Sequence, residues 1–330
     1  MNWSEQKAVV TGACGFIGSR LVETLARRHI HTKALVLYDA RGNRGWLDEL
    51  PLDLKPYVEI LAGDVRDTEF VRHLISPGDV VFHLAALIGI PYSYHAPRSY
   101  VDTNITGTLN VLEACRTAEA NRVLVISTSE VYGTALEVPI RETHPLQGQS
   151  PYSATKIAAE KLAESYYRSF ELPAIIVRPF NTYGPRQSPR AVIPTILMQA
   201  LAGRTELVLG DLETTRDFNF VDDTVSGLIR LAECEAAVGQ VVNIGTGTDV
   251  SIRRVVDLVQ QLTGRQVSVA VDPHRVRPPA SEVRRLCADN TLLKKLTGWV
   301  PPPRLDEGLK QTMEWMQSRL GRYEAGRYYV

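Results

Sequence analysis

No apolar run in the sequence approaches the ~18–20 residues of a membrane-spanning helix, so a helical membrane protein is not expected. Cysteine is scarce. Cys14, Cys115, Cys234 and Cys287 are scattered, with no CxxC pair and no His–Cys cluster, which argues against a disulfide framework or a zinc site and for reduced thiols. An excess of either charge is also lacking. The 37 basic residues balance 37 acidic ones, so no global field selects nucleic acid or an anionic membrane as partner. Met1 to Lys7 lack the charged start and apolar core of a signal peptide. Internal repeats and low-complexity tracts are absent too. What remains is 44% hydrophobic and 22% charged over 330 residues, the makeup of a globular protein with one large domain or two ordinary ones. A soluble, cytoplasmic protein is expected.

The pattern along the chain alternates. Apolar runs at Lys7–Thr11, Ala34–Tyr38, Val58–Leu61, Val80–Leu84, Val123–Ile126 and Ala174–Arg178 are separated by segments of helical periodicity. Such βαβ units predict an α/β fold, a doubly wound parallel Rossmann sheet with ligands outside the carboxyl ends of its strands. A loop is expected at Ile90–Tyr94, followed by a helix through Val101, Ile105 and Leu109. After Pro179 the pattern changes to short strands, turns and helices, which predicts a smaller, interleaved α/β substrate-binding domain. Its expected extent is 180–216 and 247–330, with 1–179 and about 217–246 forming the nucleotide-binding domain.

Two groups of residues carry chemistry. Gly12, Gly15 and Gly18 lie between the first strand and a helix that opens at Phe16 and Ile17. Glycine lets the backbone approach a pyrophosphate, and the helix N-terminus offers free N–H groups. Asp39 ends the next strand about 20 residues on, where an acidic residue binds the adenosine ribose and favours NAD over NADP. Arg41 and Arg44 stand close by and can meet a 2′-phosphate instead. Asp64, Ala85, Ala86 and Thr128 also fall at strand ends. His83, in so apolar a run, reads as a packed strand histidine. The second group is Tyr152 and Lys156, four apart at the head of a helix that Ser150 caps and Pro151 opens. Positions i and i+4 share a helix face, so the ammonium is expected beside the phenol, where it favours the phenolate.

These motifs, with Thr11-Gly12-x-x-Gly15-x-x-Gly18, Gly63-Asp64-Val65, His83-Leu84-Ala85-Ala86, Asn104 and Arg178-Pro179-x-Asn181-x-Tyr183-Gly184-Pro185, make the chain resemble the NAD-dependent epimerase/dehydratase branch of the extended short-chain dehydrogenases/reductases. The resemblance covers nearly the whole chain. It implies a nucleotide-sugar substrate, a homodimer, and a bound nicotinamide cofactor met by the glycine turn, Phe16, Ile17, Asp39, Asp64, Val65, Leu84, Ala85, Ala86, Asn104, Tyr152, Lys156 and Pro179. Ser127-Thr128-Ser129-Glu130-Val131-Tyr132-Gly133 resembles the 4,6-dehydratase version of the family, in which a glutamate stands where 4-epimerases carry small or hydroxyl residues. Thr128, Ser129, Glu130, Tyr152 and Lys156 are then the implied catalytic set. The stretches 84–94, 145–152 and 186–194 resemble nucleotide-activated N-acetylglucosamine 4,6-dehydratases of the legionaminic-acid type. Asn181, Arg190, Val192, Arg216 and Arg277 are expected to hold the substrate, since arginine's planar fork suits phosphate. A 4-epimerase, needing Tyr152 and Lys156 but not Glu130, and a non-catalytic NAD-binding protein on the same fold are the alternatives.

Overall fold

A computed structural model describes residue 3 and residues 6–275 and 279–322. Six strands arrive in order: β1 (Ala8–Thr11), β2 (Thr32–Leu37), β3 (Val58–Gly63), β4 (Val80–His83), β5 (Arg122–Ile126) and β6 (Ala174–Pro179). Four short ones follow, β7 (Asn181–Tyr183), β8 (Glu206–Leu209), β9 (Thr215–Arg216) and β10 (Phe218–Phe220), before β11 (Val241–Ile244). The first six and β11 form one seven-stranded sheet of order β11-β6-β5-β4-β1-β2-β3, with every pairing in it parallel. The order reverses between β1 and β4, and the crevice at that switch point is where such sheets bind ligands.

Alternate residues along each strand feed two apolar layers. Val10, Val36, Phe82 and Leu124 pack on one face with Leu21 and Leu25 of α1 (Phe16–Arg27). Val9, Val81, Val123, Val125 and Ile176 pack on the other, with residues of α2 (Thr68–Leu74) and more distal helices. Strands buried on both faces read as continuous β-branched runs, which is why the sequence shows them so plainly. A further apolar cluster joins β8 and β10 to later helices.

The expected loop at Ile90–Tyr94 is instead α3 (Ile90–His95), because Pro91 occupies a first-turn position that proline suits. Next come α4 (Pro97–Tyr100), a π-helical segment over Val101–Thr106, α5 (Gly107–Thr117) and α6 (Pro151–Phe170). The π segment is a one-residue widening of the helix that apolar periodicity does not encode. No helix among the described residues is long and apolar enough to cross a membrane.

Candidate active site

The glycine turn divides its labour. Gly12 has φ +68, and a Cβ there would lie 2.8 Å from the Ala85 nitrogen, so this glycine lets β1 meet the end of β4. A Cβ on Gly15 would meet only the Gly12 carbonyl, at 3.3 Å, which leaves its outer side open. The first turn of α1, with Phe16, Ile17 and Gly18, has no side-chain cap and no acidic residue, so its N–H groups are available to an anion. A dinucleotide pyrophosphate fits this cradle. Gly12→Ala is therefore expected to lower Tm and lose NAD together. Gly15→Ala is expected to weaken NAD binding about tenfold or more while shifting Tm little, as calorimetry and thermal melts would show.

The acidic residues lie where the sequence places them. Asp39 follows β2; its carboxylate accepts from the Arg41 N–H at 2.7 Å, and this bond holds it below the usual carboxylate range. Asp64 follows β3 and is gripped by the Arg66 guanidinium, which lowers it likewise. Val65 is buried beside it, and Pro179 closes β6.

Loop 84–89 is tied down by Asn104 from the π segment. Its Oδ1 accepts from Leu87 N–H at 2.8 Å, while its two N–H groups donate to the Leu87 carbonyl and to Thr155 Oγ1. Both donors are thus used, so Asn104 acts on the strand end through the loop. His83 is wholly enclosed, as its apolar run suggests. Thr108 donates to the Asn104 carbonyl at 2.6 Å and so must accept from His83 Nε2–H. Nδ1 then accepts from the Thr11 hydroxyl at 2.8 Å, and Thr11 Oγ1 accepts from the Ala85 N–H at 3.1 Å.

Burial, helped by the Lys156 charge, pushes His83 down to about 3. Unfolding restores the ordinary value near ~6.5. Between those values the unfolded chain binds the extra proton, so stability is full above about pH 6.5 and lost as pH falls toward about 3. The loss approaches ~1.4 kcal/mol per pH unit. His83→Gln is expected to flatten that part of the acid-unfolding curve; an unchanged slope would refute the assignment.

The second group converges at the ends of β5 and α6. Ser150 and Ser153 form a capping box and Pro151 opens the helix, which fixes Tyr152 in the first turn. The Tyr152 ring is buried against Tyr100, centroids 6.3 Å apart at 79°, with Ile90 and Leu87 alongside. Thr128 caps a 3-10 turn over Ser129–Tyr132 and accepts from the Glu130 N–H at 3.2 Å. Burial raises the Tyr152 phenol well above its ordinary value; a hydrogen bond with Thr128 opposes that rise and the nearby Glu130 charge adds to it. Thr128, Glu130 and Tyr152 are thus brought together, with Ser129 buried between the first two.

The Lys156 Nζ donates to the Ile126 carbonyl at 2.6 Å. That carbonyl, at the end of β5, engages one of the ammonium's three N–H donors. Burial brings Lys156 down to about 8, against an opposing pull from Glu160.

On the substrate side, Asn181 begins β7, and its Oδ1 is buried with no hydrogen-bond partner among the described residues; the same holds for Ser127 Oγ at the end of β5. Arg216 is buried and donates to the Thr215 carbonyl at 2.8 Å, with Glu282 at 3.4 Å. Its neighbour Asp217 gathers the N–H groups of Thr246, Gly247 and Ala288, clipping three loops together. Arg190 lies exposed over Gly89, and Val192 opens the helix Val192–Leu201. Arg277 falls outside the described residues. No cluster of potential metal ligands occurs among the described residues. Sequence reasoning missed Tyr100 and Glu160. Glu160, four beyond Lys156 and so on the same helix stripe, was legible; the fold alone brings Tyr100 to Tyr152.

A sequence model of the GDP-mannose 4,6 dehydratase family matches residues 9–312. The dTDP-glucose 4,6-dehydratase of Xanthomonas campestris is 32% identical, covering 93% of this chain and 92% of the relative. The UDP-glucose 4-epimerase of Mycolicibacterium smegmatis is 34% identical, covering 95% and 99%. Among solved structures, a dTDP-glucose 4,6-dehydratase from Streptomyces venezuelae with NAD bound is similar at a TM-score of 0.85 and 27% identity, covering 96% of this chain and 98% of that one. A UDP-glucuronic acid 4-epimerase from Bacillus cereus in complex with NAD reaches 0.87 at 29% identity, covering 95% and 99%.

Proposed function

Because this chain belongs to the NAD-dependent epimerase/dehydratase family of nucleotide-sugar enzymes, we propose that it is a nucleotide-sugar 4,6-dehydratase. The observation that carries the reading is Glu130, whose carboxylate sits close enough to Tyr152 for its charge to act on the phenol. A 4-epimerase has no step for a carboxylate there. The glycine cradle and the uncapped α1 terminus suit NAD, which supplies, when bound, the reversible uptake of a hydrogen with its electron pair.

The residues divide the remaining work. Thr128 bonds the sugar O4, and Tyr152 takes the O4 proton as C4 is oxidised. The Lys156 charge offsets the rise that burial imposes on the phenol. A ketone at C4 acidifies the C5 hydrogen, which Glu130 removes as general base. The C6 hydroxyl leaves as water beside Ser129, C6 regains the hydrogen and electron pair that C4 lost, and C5 is reprotonated. Net redox change is nil, so the enzyme is a hydro-lyase. Asn181, Arg190, Val192, Arg216 and Arg277 hold the nucleotide sugar.

The stretches that resemble N-acetylglucosamine 4,6-dehydratases favour a UDP- or GDP-linked N-acetylhexosamine as substrate and a role in amino-sugar biosynthesis. The apolar and charge balance fits a cytoplasmic enzyme, and a homodimer is the expected assembly. Incubation with UDP- and GDP-N-acetylglucosamine in D2O, followed by NMR, tests the reading. A 4-keto-6-deoxy product carrying deuterium at C5 is expected. Clean C4 epimerisation with C5–H retained would overturn it.

A further inference from the structure

Lys156 and Glu160 are both buried, with 3% and 2% of their surfaces exposed. They lie one turn apart on the inner face of α6. Yet the ammonium bonds a neutral carbonyl, that of Ile126, while Glu160 faces across to β6. There its two oxygens accept from Arg178 Nε at 2.9 Å and Nη2 at 2.6 Å. Arg178 is locked in turn, Nη1 donating to the Tyr132 hydroxyl at 2.9 Å and to the Glu142 carbonyl at 3.1 Å. The Tyr132 hydroxyl donates to Asn243 of β11 at 2.6 Å. The Glu160 carboxylate is thus fixed by a chain of bonds across three elements.

Such a pair is hard to explain by stability. Taking two ions out of water cancels most of their attraction, and apolar residues of similar volume serve a core as well. The neighbouring positions on this face, Val125 and Ile176, are indeed apolar. What an apolar pair could not supply is a fixed negative charge one turn from Lys156. Among the described residues, Glu160 is the one anion whose charge acts on the ammonium. His83 of β4 is neutral, and Arg178 of β6, beyond Glu160, is a second cation. Glu130 stands beyond the end of β5, beside the phenol.

We propose that Glu160, clamped by Arg178, is a positioning residue that keeps Lys156 charged in the working site. The inference rests on the Tyr152–Lys156 chemistry proposed above, which dehydratase and epimerase share. Without Glu160 the core would bury Lys156 of α6 and Arg178 of β6 with no anion between them, and Lys156 would shed its proton at a lower pH. Its charge would then be missing when Tyr152 must release a proton.

The test follows Lys156 directly, by 13C NMR of protein labelled at lysine Cε and saturated with NAD, the signal assigned through Lys156→Met. Alkaline limbs of turnover with UDP-N-acetylglucosamine are recorded beside it. Glu160→Gln strands Arg178 and is liable to misfold, so the decisive variant is Glu160→Gln/Arg178→Gln, which removes both charges. Its Lys156 midpoint is expected measurably below that of the wild type, because Glu160 and not Arg178 acts on the ammonium, with the alkaline limb moving equally. Glu160→Asp is expected to recover most of the difference. A folded double variant with an unmoved midpoint would overturn the proposal, as would an Asp variant shifted as far as the double. If no variant, wild type included, turns over a nucleotide sugar, the functional reading fails while the NMR midpoint still decides the role of Glu160.

Discussion

Glu130→Gln is expected to abolish dehydration, by about 10²–10⁴-fold, while leaving NAD binding and the fold intact. The amide matches the carboxylate in size and can keep its place in the turn that Thr128 caps. It cannot take the C5 proton. Oxidation at C4 does not need that group, so the variant should still form the 4-keto sugar to a small extent and show no deuterium at C5. The rise that the Glu130 charge imposes on the Tyr152 phenol also disappears, so the acid limb of any remaining C4 chemistry should move to lower pH. Undiminished 4-keto-6-deoxy product from the Gln variant would remove Glu130 from the mechanism. The chain would then join its epimerase relatives.

Tyr152→Phe should cost a similar ~10²–10⁴-fold, but at a different step. Phenylalanine keeps the edge-on contact with Tyr100 and loses only the hydroxyl that Thr128 bonds. C4 oxidation itself should then fail, so that neither the 4-keto intermediate nor deuterium exchange is seen. The pair of variants therefore separates the two halves of the reaction. Loss of both halves in each variant would mean that Glu130 supports Tyr152 instead of acting on C5. The thermal midpoint of Tyr152→Phe should stay near the wild type, because a deleted hydroxyl leaves no cavity comparable to a truncated core side chain.

Much of this was readable from residues because the sheet is buried on both faces. Val9–Val10, Val80–Val81 and Val123–Val125 serve two cores at once, and a strand so placed leaves little ambiguity. That the candidate residues fall at strand ends was readable for the same reason, since a parallel sheet collects its carboxyl termini on one edge. What escaped was set by contacts between distant segments. The bond from Lys156 to the Ile126 carbonyl depends on how close α6 lies to β5. The π segment around Asn104 depends on where Leu87 and Thr155 must be met. Helical periodicity carries neither piece of information. The clamp of Glu160 by Arg178 joins residues 18 apart in sequence; periodicity gives the faces, and tertiary packing gives the partner.

The position of β11 has a practical consequence for re-engineering sugar preference. That strand is made only after β7–β10, yet it covers the edge of β6, whose six residues are all buried. A cassette swap that replaced everything after Pro179 would set a foreign strand against β6. Where that strand pairs poorly, the apolar β6 edge is left bare and invites strand addition between molecules. Grafts from relatives are better made as two inserts, one on either side of 241–244, with the parent's own β11 and its Asn243 contact to Tyr132 left in place.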